Sequence, residues 1–147
     1  MYKLNLKGCM KMAISNVNTT IYKDIQKVWD IVLDVGKYSI WRSDLSKVEI
    51  INDNQFIEYT KDGYATTFTV TILEPYKRWE FDMENSNMKG HWIGVFNSKE
   101  NKTQIDFTEN VIPKKWIMKP FIKSYLKKQQ MQFINDLKKA IEKNKDI

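Results

Sequence analysis

Apolar and polar residues alternate with a period of two through the middle of the chain. In residues 67–72 each apolar side chain is followed or preceded by a threonine, and in residues 78–83 aromatic or apolar side chains alternate with charged ones. Since successive side chains of a strand point to opposite faces, these segments predict strands with one face in a core and the other toward water. The predicted strands are 11–20, 46–52, 55–61, 64–74, 77–84, 89–98 and 103–112. Their short links predict an antiparallel meander, with the first strand at an edge.

The period changes to that of a helix in residues 25–33, where apolar side chains recur at three- and four-residue spacing. Asp24 is placed to cap this helix and Gly36 to end it. A compact aromatic segment that ends at Trp41 predicts one further helical turn. We expect Trp29 and Trp41 to pin this pair of short helices to the sheet.

A long helix is predicted over residues 116–143, with Pro120 in its first turn or at a kink. One apolar stripe on this helix is formed by Ile122, Leu126, Phe133, Leu137 and Ile141. Gln129 and Gln130 interrupt the stripe, and polar side chains at such positions need hydrogen-bond partners or a wet cavity.

The pattern therefore predicts an α+β fold in which one long C-terminal helix and two short helices cover a curved, seven-stranded antiparallel sheet. One helix cannot fill the concave side of so wide a sheet, so we expect a cavity that holds an apolar molecule. The alternative is an ordinary core that is fully packed, which would make the protein a rigid scaffold. The candidate ligand-binding residues are Trp41, Phe68, Val70, Trp79, Phe81, Trp92, Phe107, Glu109, Phe121, Tyr125 and Gln129.

The strand predicted at 89–98 has apolar residues on both faces. We expect Trp92 and Phe96 to face inward, so that His91 points outward. Gly94, between the two aromatic residues, is then expected to leave an inward gap or to permit a bulge, and either adds room to the cavity.

Glu109 is the candidate catalytic residue. Its position in the alternation directs its carboxyl toward the apolar face, where burial would raise its pKa and suit it to general acid or base chemistry. The alternative places it at the rim beside Lys114 or Lys115. Tyr125 and Gln129 are suited to orienting a ligand carbonyl or hydroxyl. The alternative is that they are ordinary polar residues on the surface of the helix.

Three segments carry a likeness to a known superfamily. The first contains the pair Val28-Trp29, followed by Asp34, Tyr38 and Trp41. The second runs from Val48 to Pro75 and includes Tyr59 and Gly63. The third runs from Thr103 to Glu109, before the closing helix. With these features, over about residues 11–143, the chain resembles the START-like superfamily, also called SRPBCC, and its polyketide cyclase/dehydrase-like family. The resemblance implies the helix-grip fold and a deep apolar cavity. Carriers and enzymes share this fold without a common catalytic motif, so no catalytic residue carries over.

The length of 147 residues suits a single domain, which we place at 11–147 after an N-terminal extension of residues 1–10. The net charge of +6 is concentrated late in the chain, since residues 114–147 contain ten lysines and three acidic residues. The basic C-terminal helix is either an ordinary solvated face of a lysine-rich protein or a surface that attracts an acidic partner or anionic lipid. Arg42 and Arg78 are the only arginines, which argues against nucleic-acid binding, where the guanidinium group is preferred.

Cofactor and membrane chemistry find little support in the composition. The single cysteine, Cys9, excludes an internal disulfide, and with one histidine it makes no zinc site. We expect no metal and no cofactor. The chain contains no apolar stretch of transmembrane length, so we expect no stable membrane insertion and a cytoplasmic location.

Three functional hypotheses follow. The leading one is a non-catalytic protein that binds or transports a hydrophobic small molecule or lipid in an internal cavity. The second is an enzyme of the polyketide cyclase/dehydratase type, in which Glu109 or Tyr125 moves a proton on a substrate. The third is a protein-interaction role of the basic helix, which predicts salt-sensitive binding.

Overall fold

A computed structural model describes residues 12–143, so the expected extension at residues 1–10 lies outside the described residues. The elements are β1 Ala13–Ile21, α1 Ile25–Leu33, α2 Tyr38–Trp41, β2 Leu45–Asn52, β3 Gln55–Thr60, β4 Ala65–Glu74, β5 Arg78–Glu84, β6 Met88–Lys99, β7 Lys102–Pro113 and α3 Ile122–Lys143. Two short 3₁₀ turns, Val35–Lys37 and Trp116–Met118, precede α2 and α3.

The strands form one seven-stranded sheet in the order β1-β7-β6-β5-β4-β3-β2. Every neighbouring pair is antiparallel. Strands β2 to β7 follow one another as hairpins, and β1 closes one edge by pairing with β7. The predicted α+β architecture, with a sheet covered by two short helices and one long helix, is confirmed.

Helix α1 covers the predicted residues 25–33, and only the role of Gly36 differs from the prediction. The carboxylate of Asp24 accepts a hydrogen bond from the backbone N–H of Lys27 at 3.3 Å, which satisfies a free donor of the first turn. The last backbone bond runs from the N–H of Asp34 to the carbonyl of Asp30. Gly36 lies beyond it in the first 3₁₀ turn, so it does not end the helix.

The two tryptophans of this region have different roles. Trp29 is buried and packs edge-on against Phe96 of β6 with ring centroids 4.9 Å apart. It therefore fixes α1 to the sheet, as expected. Trp41 packs edge-on against Phe133 of α3 at 5.4 Å, so it ties α2 to the long helix instead.

Helix α3 begins at Ile122, later than the predicted start at residue 116. Pro120 precedes it and lacks the N–H that a continuous helix would need. The preceding 3₁₀ turn is closed by the N–H of Lys119 and the carbonyl of Trp116. The predicted apolar stripe is buried, apart from the partly buried Phe133.

Strand β6 has the predicted orientation. Trp92 is 7% exposed and Phe96 is 1% exposed, both on the concave face. His91 lies on the convex face, where its ring nitrogens are each 2.7 Å from a carboxylate oxygen, one of Glu80 and one of Asp82.

The expectation that Gly94 adds room to the cavity was wrong. A β-carbon added at Gly94 would overlap ring atoms Cη2 and Cζ3 of Trp92. The indole ring therefore lies over the glycine and fills the gap. The register of β6 with β5 and β7 runs without a shift past this residue, so no bulge forms there.

Candidate functional site

The candidate site is a row of side chains that crosses the middle of the concave face. In the sheet register, Phe81 is opposite Trp92, Trp92 is opposite Glu109, and Glu109 is opposite Ser15. Residues directly opposite each other in an antiparallel pair project on the same face. The strand alternation thus places the carboxyl of Glu109 in a row whose other members are two aromatic residues and one serine.

Aromatic rings form the apolar wall. Trp92 is stacked on Phe81, with centroids 4.7 Å apart and planes within 5°. Trp92 is also 4.8 Å from Phe107 on the next strand. At the other end of the wall, Phe56 is stacked on Phe68 at 4.9 Å. Phe68 also packs edge-on against Phe81 at 5.2 Å, so the two ends of the wall form one continuous aromatic cluster.

Between this wall and α3 lies a cavity of about 100 Å³. Its lining consists of Val32, Tyr38, Arg42, Asp44, Phe56, Glu58, Phe68, Trp79, Phe81, Met83, Trp92, Phe107, Glu109, Gln129, Gln130 and Phe133. The volume is well below the roughly 300 Å³ at which common ligand pockets begin. Most of the concave side is filled by its own aromatic side chains.

One end of the cavity is polar because Arg42 brings two carboxylates together. Its guanidinium donates to Glu58 at 2.8 Å, and to the two oxygens of Asp44 at 2.9 and 3.3 Å. The cation also lies 5.1 Å from the ring centroid of Tyr38 and 5.2 Å from that of Phe133. Arg42 is therefore held by ion pairs and by two aromatic faces.

The pKa values of this cluster reflect its burial. Burial lowers the pKa of Arg42, but Glu58 and Asp44 more than offset this and raise it above its ordinary value. Burial raises the pKa of Glu58, with partial opposition from Arg42. Burial also raises the pKa of Tyr38, whose hydroxyl donates to the carbonyl of Val32.

Glu109 differs from the other carboxylates of the cavity. Within residues 12–143 its side chain forms neither an ion pair nor a hydrogen bond. Burial, and then the negative charge of Glu58, raise its pKa from 4.5 to about 7, while Arg42 acts in the opposite direction. Near neutral pH the group exchanges readily between acid and base forms. Of the two lysines considered as neighbours of Glu109 at the rim, Lys114 pairs with Glu84 at 2.8 Å instead.

Two other polar side chains of the cavity differ in their hydrogen bonding. Gln130 of α3 is 4% exposed; it accepts from the hydroxyl of Ser15 at 2.7 Å and donates to the Ser15 carbonyl at 3.0 Å. These bonds clamp the long helix to β1. The indole N–H of Trp79 is buried, and it has no hydrogen-bond partner among the described residues.

A second volume of about 70 Å³ adjoins the first. The two share Arg42, Asp44, Glu58, Phe68, Met83, Glu109 and Gln129 in their linings. Tyr125 borders only the second volume, and its hydroxyl accepts from the side-chain amide of Gln129 at 2.9 Å. Burial, followed by nearby Tyr64 and Glu109, raises the pKa of Tyr125. Tyr125 and Gln129 are both partly open to solvent, so they mark the mouth.

The structure brings together most of the candidate residues predicted from the sequence. Those that line one or both volumes are Phe68, Trp79, Phe81, Trp92, Phe107, Glu109, Tyr125 and Gln129. The other three lie outside both linings. Val70 is opposite Phe81 in the register but packs at the edge of the core. Trp41 borders a surface groove between α1 and α3. Phe121 is 68% exposed, because α3 begins only after it.

The main residues that the sequence prediction missed are Arg42, Asp44 and Glu58. Glu58 carried a usable signal, since it has the same parity as the buried Phe56 on β3 and therefore points to the same face. Arg42 follows Trp41 in an irregular segment, where no periodicity reveals its direction. Its pairing with Glu58, which lies on β3, depends on tertiary structure.

Metal-ligand clusters and membrane-spanning helices are absent from the part of the chain that the structure describes. Residues 12–143 contain no group of three His, Cys, Asp or Glu side chains arranged to hold a metal ion. No helix in this range is long and apolar enough to cross a membrane.

Comparison with known proteins agrees with this architecture. The family described as "Polyketide cyclase / dehydrase and lipid transport" matches residues 12–142, and the chain belongs to this family. No curated protein shows significant similarity to the chain.

Solved structures with the same fold have little sequence in common with the chain. A START superfamily protein from Mycobacterium smegmatis is 13% identical, with a TM-score of 0.77 over 88% of this chain and 97% of that one. A conserved protein from Geobacillus kaustophilus is 15% identical, with a TM-score of 0.77 over 88% and 95%. The Zhui aromatase/cyclase from a Streptomyces species is 14% identical, with a TM-score of 0.77 over 89% and 94%. At these identities the likeness establishes the fold alone.

Proposed function

We propose that this protein binds a small hydrophobic molecule that carries one hydrogen-bonding group. The observation that supports the proposal most strongly is the position of Glu109. Its carboxyl borders a cavity with an aromatic wall and has no hydrogen-bond partner within residues 12–143. The membership of the chain in a family described by cyclase, dehydrase and lipid-transport activities is consistent with such a ligand.

The size of the cavity limits the ligand. An apolar cavity of about 150 Å³ in another protein accepts benzene. The two adjoining volumes here, of about 100 and 70 Å³, therefore suit a molecule with one ring. A longer ligand or a lipid chain would require Tyr125 and Gln129 to move away from the mouth. Both side chains belong to the exposed side of α3, so their movement leaves the packed wall intact.

The polar group of the ligand is expected to meet Glu109. Three N–H donors of Arg42 are taken up by Asp44 and Glu58, whereas Glu109 forms no hydrogen bond within residues 12–143. A ligand hydroxyl would donate to the ionised carboxylate, and a ligand carbonyl would accept from the protonated form. Glu109 is partly exposed, so a ligand that excludes water from its carboxyl has to supply a hydrogen bond in place of that water, and a ligand that lacks such a group binds more weakly.

Calorimetric titration with p-cresol tests this proposal. The Gln129→Trp variant places a large ring at the mouth and should abolish binding. The Met131→Trp variant is the matched control, because Met131 is exposed on the same helix and borders neither volume. Saturable binding by the native protein and by the control, with loss in Gln129→Trp, is expected. No binding by the native protein, or equal binding by Gln129→Trp, would overturn the proposal.

A second candidate function, proton transfer of the cyclase or dehydratase type, is favoured by the raised pKa of Glu109. The ionised carboxylate would remove a proton from a carbon between two carbonyls, and the electron pair would enter the enolate. Return of a proton from the carboxyl to that carbon completes the exchange. A group with a pKa of about 7 is suited to both steps near neutral pH.

Deuterium exchange at the central carbon of benzoylacetone, followed by NMR, tests this second function. The native protein should accelerate exchange, with a rate that rises as the pH passes about 7 and Glu109 ionises. Glu109→Gln should return the rate to that of buffer. If native protein and buffer give equal rates while p-cresol binds, the cavity acts in binding alone.

A further inference from the structure

Three large apolar side chains are exposed within six consecutive residues between β7 and α3. Trp116 is 82% exposed, Ile117 is 63% exposed and Phe121 is 68% exposed. Single exposed apolar residues are ordinary on protein surfaces, whereas a cluster that includes tryptophan and phenylalanine marks an interaction surface. We call residues 114–121 the β7–α3 connection.

Backbone hydrogen bonds give the connection a defined shape. The N–H of Met118 donates to the carbonyl of Lys115, and the N–H of Phe121 donates to the carbonyl of Met118, at 3.1 and 3.0 Å. Directly afterwards, Ile122 and Leu126 are 3% and 1% exposed and anchor the start of α3 in the core. The apolar side chains therefore protrude from a structured turn whose ends are fixed.

The charged residues that flank these side chains in the sequence all have one sign. Residues 114–135 contain six lysines and no aspartate or glutamate. Lys114 is paired with Glu84 at 2.8 Å. Lys115, Lys119 and Lys123 are exposed and interleave with the apolar residues. The surface thus combines protruding rings with a local positive potential.

We propose that the β7–α3 connection docks on the surface of an anionic lipid bilayer. Tryptophan and other amphipathic rings favour the boundary between headgroups and acyl chains, and lysines near that boundary are attracted by anionic lipids. Docking of this kind is peripheral and needs no membrane-spanning helix.

Other partners fit this surface less well. In a symmetric dimer the same patch would meet itself, so the lysines of two copies would lie face to face and repel. A bound peptide would need a concave surface, but Trp116, Ile117 and Phe121 line neither cavity volume nor the groove between α1 and α3. Protruding apolar groups surrounded by cations match a bilayer surface.

The docking surface adjoins the mouth of the cavity. Tyr125 lies one helical turn after Phe121 and borders the second volume. A molecule dissolved in the bilayer would therefore meet the mouth at the docked surface. This consequence depends on the proposed function, whereas docking itself does not.

Co-sedimentation of the full chain with lipid vesicles tests the proposal. Vesicles of phosphatidylcholine containing phosphatidylserine should bind the protein, and vesicles of phosphatidylcholine alone should bind it far more weakly. Trp116→Ser should lower the affinity for phosphatidylserine vesicles about tenfold, because it removes one ring that docking would bury in the bilayer. Lys119→Glu should lower it by about tenfold or more, because it reverses a charge at the surface.

Matched controls separate local docking from general effects. Ile40→Ser alters a side chain that is 79% exposed on α2, and Lys139→Glu makes the same charge change toward the other end of α3. Both should retain vesicle binding. The proposal is overturned if native protein does not bind phosphatidylserine vesicles, or if the controls lose binding as much as the test variants. It is equally overturned if the protein binds poly-glutamate but no vesicles, or forms a dimer that Trp116→Ser dissociates.

Discussion

The guanidinium of Arg42 donates to the carboxylate of Glu58 at 2.8 Å, and each side chain is only 11% exposed. Asp44 completes the cluster from the other side of the guanidinium. A buried charge is tolerated when it is paired and hydrogen-bonded. Arg42 thus pairs with both of these carboxylates and leaves Glu109, on the same cavity, as a carboxyl without a cationic partner within residues 12–143.

Removal of Arg42 should destabilise the protein strongly. Arg42→Met leaves Glu58 and Asp44 without their cation, and loss of one member of a buried ion pair costs about 3–5 kcal/mol. Urea denaturation measures the free energy of unfolding. Lys37→Met is the control, because the pair of Lys37 with Asp34 is 71% and 49% exposed and should contribute less than about 1 kcal/mol. Equal losses in the two variants would show that the cluster is not an energetic anchor.

Glu109 should make the protein less stable as the pH rises from 4.5 to about 7. The folded-state pKa is raised to about 7 from 4.5, so in this window the folded protein holds the proton more often than the unfolded chain does. Unfolding then releases a proton, and the free energy of unfolding falls with rising pH. Above this window the ionisation of Glu109 has lowered the free energy of unfolding by about 3 kcal/mol.

Glu109→Gln isolates this effect from Glu58, whose pKa is also raised. The variant cannot ionise at residue 109, so it should match the native protein at pH 4.5 and be more stable above pH 7. Denaturation curves across this range provide the measurement. If the free energy of unfolding changes with pH in the same way for both proteins, the raised pKa of Glu109 is contradicted.

Gly94→Ala should destabilise the protein and disturb the aromatic wall. The added β-carbon would overlap the ring of Trp92, which is itself stacked on Phe81. Overpacking of a core typically costs about 1–3 kcal/mol. Near-ultraviolet circular dichroism should change together with the melting temperature. At Gly36 a β-carbon meets only Asp34 at 3.9 Å, so Gly36→Ala should leave both signals nearly unchanged.

The hydrogen bond between Ser15 and Gln130 should show strong coupling in a double-mutant cycle. Gln130→Leu leaves the hydroxyl of Ser15 buried without its partner, which costs about 1–3 kcal/mol. The double variant with Ser15→Ala removes both polar groups and should recover part of this loss. Additive losses in the two single variants would mean that the bond does not clamp α3 to β1.

The sheet was predictable from the sequence because alternation determines which side chains share a face. Phe81, Trp92 and Glu109 each have the parity of their buried neighbours, and the structure places them in one row. The start of α3 was harder to predict, since residues 116–121 are as apolar as the helix that follows. Only the tertiary structure shows that Phe121 precedes the helix and is exposed.

The polar end of the cavity was not predictable in the same way. Arg42 lies in a turn after α2, where φ and ψ angles, rather than a repeating period, set the side-chain direction. Its partner Asp44 lies in the same turn, whereas Glu58 lies on β3. The cavity volume was also beyond a pattern argument, because it depends on how the ring of Trp92 folds over Gly94.

Intermolecular NMR contacts between p-cresol and the isotopically labelled protein test the central claim most directly. The account predicts nuclear Overhauser effects from the p-cresol ring to Trp92 and Phe107, with a shift of the carboxyl carbon of Glu109. Contacts confined to the surface groove beside Trp41, or the absence of any contact at saturating p-cresol, would contradict it.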